Sequence, residues 1–114
     1  MFAAQPLAQS DDLNPNKFST IVDMFEDTFA RNADKPAFTC LGHTISYGQV
    51  DQASARLAAW LIDKSGLKAG DRIAIQLPNL LQFPVAVIAA ARAGLVLVNT
   101  NPLYTVREMQ HQFK

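Results

Sequence analysis

Polar residues follow two apolar segments of the chain, and these are the side chains best placed to do chemistry. Asn79 follows the segment Arg72 to Leu77, and Asn101 and Tyr104 follow Leu95 to Val98. In open parallel α/β sheets, ligands bind beyond the carboxyl ends of the strands. If the two segments are neighbouring strands, the three polar side chains face a common crevice. The alternative, which we favour, is that Asn and Pro simply form turns at these positions.

The remaining reactive side chains have simpler interpretations. The chain has one cysteine, Cys40, and two histidines, His43 and His111. A single cysteine excludes an intrachain disulfide and a zinc site of several cysteines, and two distant histidines do not make a metal site. Cys40 ends an apolar segment, so we expect a buried small hydrophobe rather than a nucleophile. We therefore predict no catalytic, cofactor-binding or metal-binding residue.

Charge and glycine spacing exclude two further classes of site. Ten basic residues balance ten acidic ones, which argues against a nucleic-acid partner held by a basic face. The five glycines stand singly and form neither a dinucleotide-binding nor a P-loop pattern. A small nucleotide-binding protein of the flavodoxin type is therefore disfavoured.

The uncharged segment Ile73 to Ala91 is the only candidate for a membrane span. Polar residues and prolines interrupt it, and a spanning helix needs about 20 predominantly apolar residues. We interpret it as part of a buried strand–helix–strand unit. Residues 1–16 lack the basic and apolar regions of a secretory signal and predict a loose N-terminal arm. With a single cysteine, the cytoplasm is the expected location.

Periodicity predicts an α/β fold that begins with a helix and a hairpin. Apolar residues at spacings of three and four predict a helix over Phe18 to Arg31, with Thr20 and Asp23 as a capping box. Ala37 to Cys40 and Thr44 to Ser46 predict two strands joined by a turn over residues 41–43.

A second helix and a βαβ unit follow. Ser46 and Gln49 form a capping-box pattern, and Gly66 is a candidate left-handed residue at the helix end. The small residues of this helix predict close packing against a sheet. The two strands over residues 72–77 and 95–98 should be parallel, with a right-handed connection. The helix between them either begins near Pro84 or bends there.

The last predicted element is a fourth helix, opened by Thr105 and Glu108 in another capping-box pattern. Only a few residues of this helix precede Lys114. From this position we expect the sequence to be a truncated piece of a larger domain.

Three segments resemble the adenylate-forming acyl-CoA synthetases: "GDRIAIQLPN", "RAG" at residues 92–94, and "VNTNPLYTVREMQHQ". The last segment is most similar to bacterial long-chain fatty acid–CoA ligases. The resemblance covers Asn16 to Lys114 and implies the N-terminal portion of an AMP-binding domain over residues 17–114. It implies an α/β fold that is the N-terminal part of the large domain, with a short hairpin, a βαβ unit with parallel strands and about four helices.

The resemblance also implies a reaction for the parent enzyme. Fatty acid and Mg-ATP give an acyl-adenylate and pyrophosphate, and the CoA thiol then displaces AMP. The family's phosphate loop ending in Lys, its aromatic-Gly-x-Thr-Glu segment, its ribose-binding Asp and its C-terminal-domain Lys are absent from this sequence. No catalytic residue can therefore be carried over, and the acyl chain length stays undetermined. The parent enzyme is expected to be cytoplasmic or peripheral on the inner face of the membrane.

We accordingly expect a structural segment that is inactive alone and whose partner is the remainder of the ligase chain. Its exposed apolar surface and bare strand edges predict a dimer or higher oligomer, through exchange of the N-terminal arm or helix. The competing interpretation is a stand-alone protein-interaction module derived from the ligase fold. A peripheral membrane role rests on the resemblance alone, because no basic amphipathic helix is present.

Overall fold

A computed structural model describes residues 14–114, so most of the predicted arm over residues 1–16 lies outside the described residues. The elements are α1 (Ile21–Asn32), β1 (Pro36–Cys40), β2 (His43–Ser46), α2 (Tyr47–Asp63), β3 (Arg72–Ile75), α3 (Gln82–Arg92), β4 (Val96–Asn99) and α4 (Val106–Gln112). The predicted α/β fold class and the order of its elements are confirmed.

The first helix begins later than predicted, at Ile21 rather than Phe18, because Thr20 is its N-cap. The Thr20 hydroxyl accepts a hydrogen bond from the backbone N–H of Asp23, which satisfies one of the free donors of the first turn. In the hairpin, β1 and β2 pair antiparallel, with Cys40 opposite His43. The turn has two residues rather than three, because Leu41 and Gly42 both take positive φ, as a type I′ turn requires.

Helix α2 begins at the predicted capping box, in which Ser46 and Gln49 each bond the other's backbone N–H. The helix ends at Asp63, three residues before Gly66. Gly66 has the predicted left-handed backbone, with φ at +78°, but it is not the residue that ends the helix. The prediction that α2 packs against a sheet is wrong in part, because its main neighbour is α3. Ser54 and Ala58 are buried on this helix, and small side chains allow two helices to approach closely.

The βαβ unit is confirmed: β3 and β4 pair in parallel, with Ile73 opposite Leu97. Strand β3 begins at Arg72 as predicted but ends earlier, at Ile75, and β4 is shifted by one residue, to Val96–Asn99. Helix α3 begins at Gln82, earlier than Pro84. Pro84 is therefore in the first helical turn, where its missing N–H has no partner to lose.

The core has two clusters of buried side chains. One joins α2, α3 and the strand pair through Ala58, Leu61, Ala89, Ala90 and Leu95, with Ile73 and Leu97 packed against them. The other joins α1, α2 and α3 through Phe29, Val50 and Ile88. Thus α3 covers one face of the β3–β4 pair. Among residues 14–114, no helix is long and apolar enough to cross a membrane.

Candidate functional site

Arg92, at the end of α3, is the centre of a polar cluster inside the packed helices. Its side chain is only 12% exposed. One guanidinium nitrogen donates to the Asp51 backbone carbonyl at 2.9 Å and to the Ser54 hydroxyl at 3.2 Å, and the other donates to the Asp51 carboxylate. The guanidinium also lies over the Phe29 ring, 5.3 Å from its centroid. Arg92 therefore ties α3 to both α2 and α1.

The chemistry of this polar cluster suits a structural role. A guanidinium is always protonated, so Arg92 supplies fixed hydrogen-bond donors and no proton transfer. Its Nε is buried and has no hydrogen-bond partner within the part of the chain that the structure describes, and Glu26 lies 3.9 Å from the guanidinium. In the sequence, Arg92 stands out only as part of the family motif at residues 92–94. A signal was available, because Arg92 is the only charged residue between Ile73 and Val106, and a lone charge in an apolar segment needs a buried partner.

An apolar pocket of about 420 Å³ lies between the hairpin, α1 and the start of α3. Its wall includes Cys40, whose thiol donates to the Asn79 carbonyl at 3.5 Å. Cys40 is half-buried, more accessible than the buried hydrophobe predicted. The other lining residues are mostly large and apolar: Phe25, Phe38, Leu80, Leu81, Phe83, Pro84, Val87 and Ile88. Among residues 14–114, no charged residue lines the pocket, so this part of the chain can hold an apolar group there but gives no ionic contact to orient it.

The three residues predicted to share a crevice lie in different surroundings. Asn79 lines the apolar pocket, whereas Tyr104 lines a separate hollow beside α4. The Asn101 side chain accepts from the Leu103 N–H at 2.9 Å, which is the kind of local turn that Asn favours. The Asn101 carbonyl accepts from the Gln76 side chain at 3.2 Å, so a hydrogen bond links the chain beyond β3 to the chain beyond β4.

The α4 end of the chain has one electrostatic feature. The Thr105 backbone N–H and hydroxyl both donate to the Glu108 carboxylate, and these hydrogen bonds lower the pKa of Glu108 below its ordinary value of 4.5. This is the predicted capping box, formed in full. The group is fully exposed, so it stabilises the helix end and does not form a proton-transfer site.

Within residues 14–114, no three His, Cys, Asp or Glu side chains are grouped so that they could hold a metal ion. The two histidines are exposed and apart, on β2 and α4. What the described residues do contain is a framework: a βαβ unit fixed by Arg92, an apolar pocket, and a helix that few other residues cover.

Comparison with known proteins identifies this framework. Residues 25–114 match the AMP-binding enzyme family, so the chain belongs to that family. It resembles the N-terminal part of long-chain fatty acid–CoA ligases. It is 48% identical over 101 residues to the long-chain-fatty-acid–CoA ligase of Escherichia coli O6:H1 (strain CFT073), a match that covers 89% of this chain and 18% of that relative. The chain thus spans less than a fifth of that relative's length.

Solved structures confirm the fold. The N-terminal subdomain of Klebsiella oxytoca NpsA superposes with a TM-score of 0.77 at 24% identity, over 82% of this chain and 24% of that one. ATP-bound MatB from Rhodopseudomonas palustris superposes with a TM-score of 0.69 at 32% identity, over 81% of this chain and 19% of that one. The architecture is therefore that of the N-terminal part of an adenylate-forming enzyme.

Proposed function

We propose that this chain is the N-terminal structural segment of a long-chain fatty acid–CoA ligase. The observation that carries the proposal is the 48% identity to the E. coli ligase over almost the whole chain, together with a framework that Arg92 holds in place. The parent enzyme would join a fatty acid to CoA with Mg-ATP, through an acyl-adenylate. It would act in the cytoplasm or on the inner face of the membrane, and the partner of this segment would be the rest of the ligase chain.

The segment alone would be inactive. The sequence lacks a glycine-rich phosphate loop, and the polar cluster is built around a guanidinium that cannot act as a general base. Its contribution to catalysis would be to supply strands and helices against which a nucleotide-binding remainder folds. Stabilisation of that kind depends on packing and needs no reactive side chain.

A chimeric ligase tests the proposal. Residues 1–114 of this chain replace the matching segment of the E. coli ligase, and conversion of radiolabelled palmitate to palmitoyl-CoA is measured with ATP and CoA. We expect the chimera to be active and the 114-residue chain alone to be inactive. The control is the E. coli ligase without its own matching segment, which should be inactive. A well-folded but inactive chimera, or acyl-CoA formation by the chain alone, would contradict the proposal.

Without the remainder, we propose that the segment self-associates. Helix α4 and its C-cap residue present an apolar stripe of Val106, Met109 and Phe113, and the first and last of these are 67% and 53% exposed. An exposed apolar helix stripe favours association. Sedimentation velocity at tens of micromolar should show a dimer or higher oligomer. The double variant Val106→Ser, Phe113→Ser should shift it toward monomer, whereas the matched polar-face variant Arg107→Ser should not.

A clean monomer at that concentration would contradict self-association. If the native protein in the source cell proved to be the size of this segment, the competing interpretation would gain support. The α4 stripe would then be the surface by which a stand-alone module binds a protein partner.

A further inference from the structure

The hairpin places the single cysteine of the chain directly opposite one of its two histidines. Cys40 and His43 are paired in the antiparallel register of β1 and β2, on either side of the two-residue turn. Side chains of directly paired residues point to the same face of a hairpin, and their Cβ atoms lie about 5 Å apart. A thiol and an imidazole are thereby made neighbours, and these are the groups of a nucleophile and its general base.

This pair lies on the inner face of the hairpin. Side chains alternate along a strand, so Cys40 shares its face with Phe38, and His43 shares that same face with Ile45. Phe38 and Cys40 both line the apolar pocket, and Ile45 packs against the core cluster of the first three helices. Cys40 is half-buried in the pocket wall, whereas His43 is exposed to solvent. The nucleophile thus lies at the boundary between an apolar pocket and solvent.

The pocket beside the thiol suits a hydrocarbon chain. Its volume is about 420 Å³, which is within the usual range of small-molecule sites. Among the described residues, those that line it are mostly large and apolar, and none is charged. Each methylene group that moves from water into such surroundings strengthens binding about fourfold. A ligand with a long acyl chain therefore fits the lining, while its polar headgroup stays outside, on the solvent side where His43 is exposed.

The surroundings of the thiol favour acyl transfer over metal binding. A thiol and an imidazole also bind soft metals, but within residues 14–114 no third His, Cys, Asp or Glu side chain joins them. The thiol donates to the Asn79 carbonyl at 3.5 Å, a long and therefore weak hydrogen bond. The thiol proton can accordingly pass to the imidazole without the loss of a strong contact.

We infer that Cys40 is a site of self-acylation by a long-chain acyl thioester, with His43 as the general base and the apolar pocket as the site that holds the acyl chain. The Cys40 sulfur attacks the thioester carbonyl, and its proton passes to His43. A carbon–sulfur bond forms to Cys40, and the carbon–sulfur bond of the donor breaks. His43 then returns the proton to the departing thiolate. The products are S-acylated Cys40 and a free thiol, so the step balances without a further reactant.

This reaction is separate from the proposed function, in which ATP drives the joining of a fatty acid to CoA. The two meet in one compound only, since the parent ligase would form the long-chain acyl-CoA that serves here as the acyl donor. With preformed acyl-CoA and no ATP, the self-acylation is measured independently. An inactive chimera would therefore contradict the proposed function and leave this inference intact, and the absence of acylation at Cys40 would do the reverse.

Incubation of the 114-residue chain with palmitoyl-CoA, followed by intact-mass spectrometry, tests the inference. We expect the chain to gain the mass of one palmitoyl group, and neutral hydroxylamine to remove it, because that reagent cleaves thioesters. Cys40→Ser should acquire no hydroxylamine-labile group. No gain in mass, a group that resists hydroxylamine, or equal labelling of Cys40→Ser would overturn the inference.

The role of His43 is tested by the rate of acylation. His43→Gln should slow the reaction at least about 100-fold, which is the contribution of a well-placed general base. The matched control is His111→Gln, which removes the other exposed histidine, on α4, and should leave the rate unchanged. The chain unfolded in urea should also react slowly, because the register that pairs the two residues is lost. Equal rates for the two variants, or an unfolded chain as fast as the folded one, would overturn the inference.

The role of the pocket is tested with a donor that lacks the hydrocarbon chain. Acetyl-CoA should acylate Cys40 at least about tenfold more slowly than palmitoyl-CoA, because it gains no binding from buried methylene groups. The palmitoylated chain should unfold at a higher temperature than the unmodified chain, since the acyl group buries apolar surface in the pocket. Equal rates with the two donors, or no rise in the unfolding temperature, would overturn the inference.

Discussion

The packed corner of the molecule, where Phe29, Val50, Ile88 and Arg92 meet, differs from the α4 end in what holds its helices. Both α2 and α4 begin with a complete capping box, at Ser46 and at Thr105. Yet α2 buries four side chains, whereas α4 buries none. The comparison separates two sources of helix stability: local capping, which both regions have, and burial of an apolar face, which only the packed corner has.

The largest expected effect is on the packed corner. Arg92→Met removes the hydrogen bonds from α3 to Asp51 and Ser54 and leaves their acceptors without this donor. We expect the free energy of unfolding to fall by about 3 kcal/mol in urea denaturation. The control is Arg31→Met, which breaks an exposed ion pair with Asp27 and should cost about 0.5 kcal/mol or less. Equal losses would show that Arg92 does not hold the corner together.

A smaller effect is expected at the end of α3. Gly94 has φ +72°, and a Cβ there would lie 3.3 Å from the Ala69 Cβ. Gly94→Ala should cost about 1–2 kcal/mol of unfolding free energy, because a left-handed backbone is strained for a residue with a side chain. Gly66 has a similar φ but open space around it, so Gly66→Ala should cost less. Equal costs would mean that the contact with Ala69 contributes nothing.

Removal of the same cap in both regions tests the comparison most directly. Ser46→Ala should lower the global unfolding free energy by about 1 kcal/mol, because α2 unfolds only with the core. Thr105→Ala should leave the global transition nearly unchanged and instead speed hydrogen exchange in α4, which can open locally. If Thr105→Ala lowered global stability as much as Ser46→Ala, α4 would have to be part of the cooperative core.

The smallest effect is a pH dependence confined to α4. The pKa of Glu108 is lowered in the folded helix, so its contribution is present above the ordinary value of 4.5. As pH falls below 4.5 and through the folded pKa, that contribution is lost. Exchange protection of α4 amides, corrected for the intrinsic rate, should therefore weaken in this window. Glu108→Gln should remove the dependence, and an unchanged dependence in that variant would assign it to another group.

Much of the fold could be predicted because its signals are local. The Thr20, Ser46 and Thr105 caps all form, since a hydroxyl and a backbone N–H three residues away meet whenever a helix begins. The parallel pairing of β3 and β4 also follows from the chain, because a helix between two short strands leaves few other connections. The ends of the elements were predicted less well. Pro84 does not define the first residue of α3, because a proline is tolerated anywhere in the first turn of a helix.

The candidate site was predicted less well, because its contacts join residues far apart in sequence. The bonds from Arg92 to Asp51 span 41 residues, and that from Cys40 to Asn79 spans 39. The sequence predicted that Asn79, Asn101 and Tyr104 lie beyond the ends of two strands. It could not predict which way their side chains point, and that direction determines what surrounds them. The common crevice stays a prediction.

By itself, the sequence determined the elements, their order and, through its likeness to acyl-CoA ligases, the family. These depend on hydrophobic periodicity, on capping residues and on short sequence motifs, each of which involves only residues close together in the chain. Only the tertiary structure decided that Arg92 connects three helices and that α2 packs mainly against α3. Those features arise when distant segments compete to bury apolar surface and to pair polar groups, and no local pattern encodes the outcome of that competition.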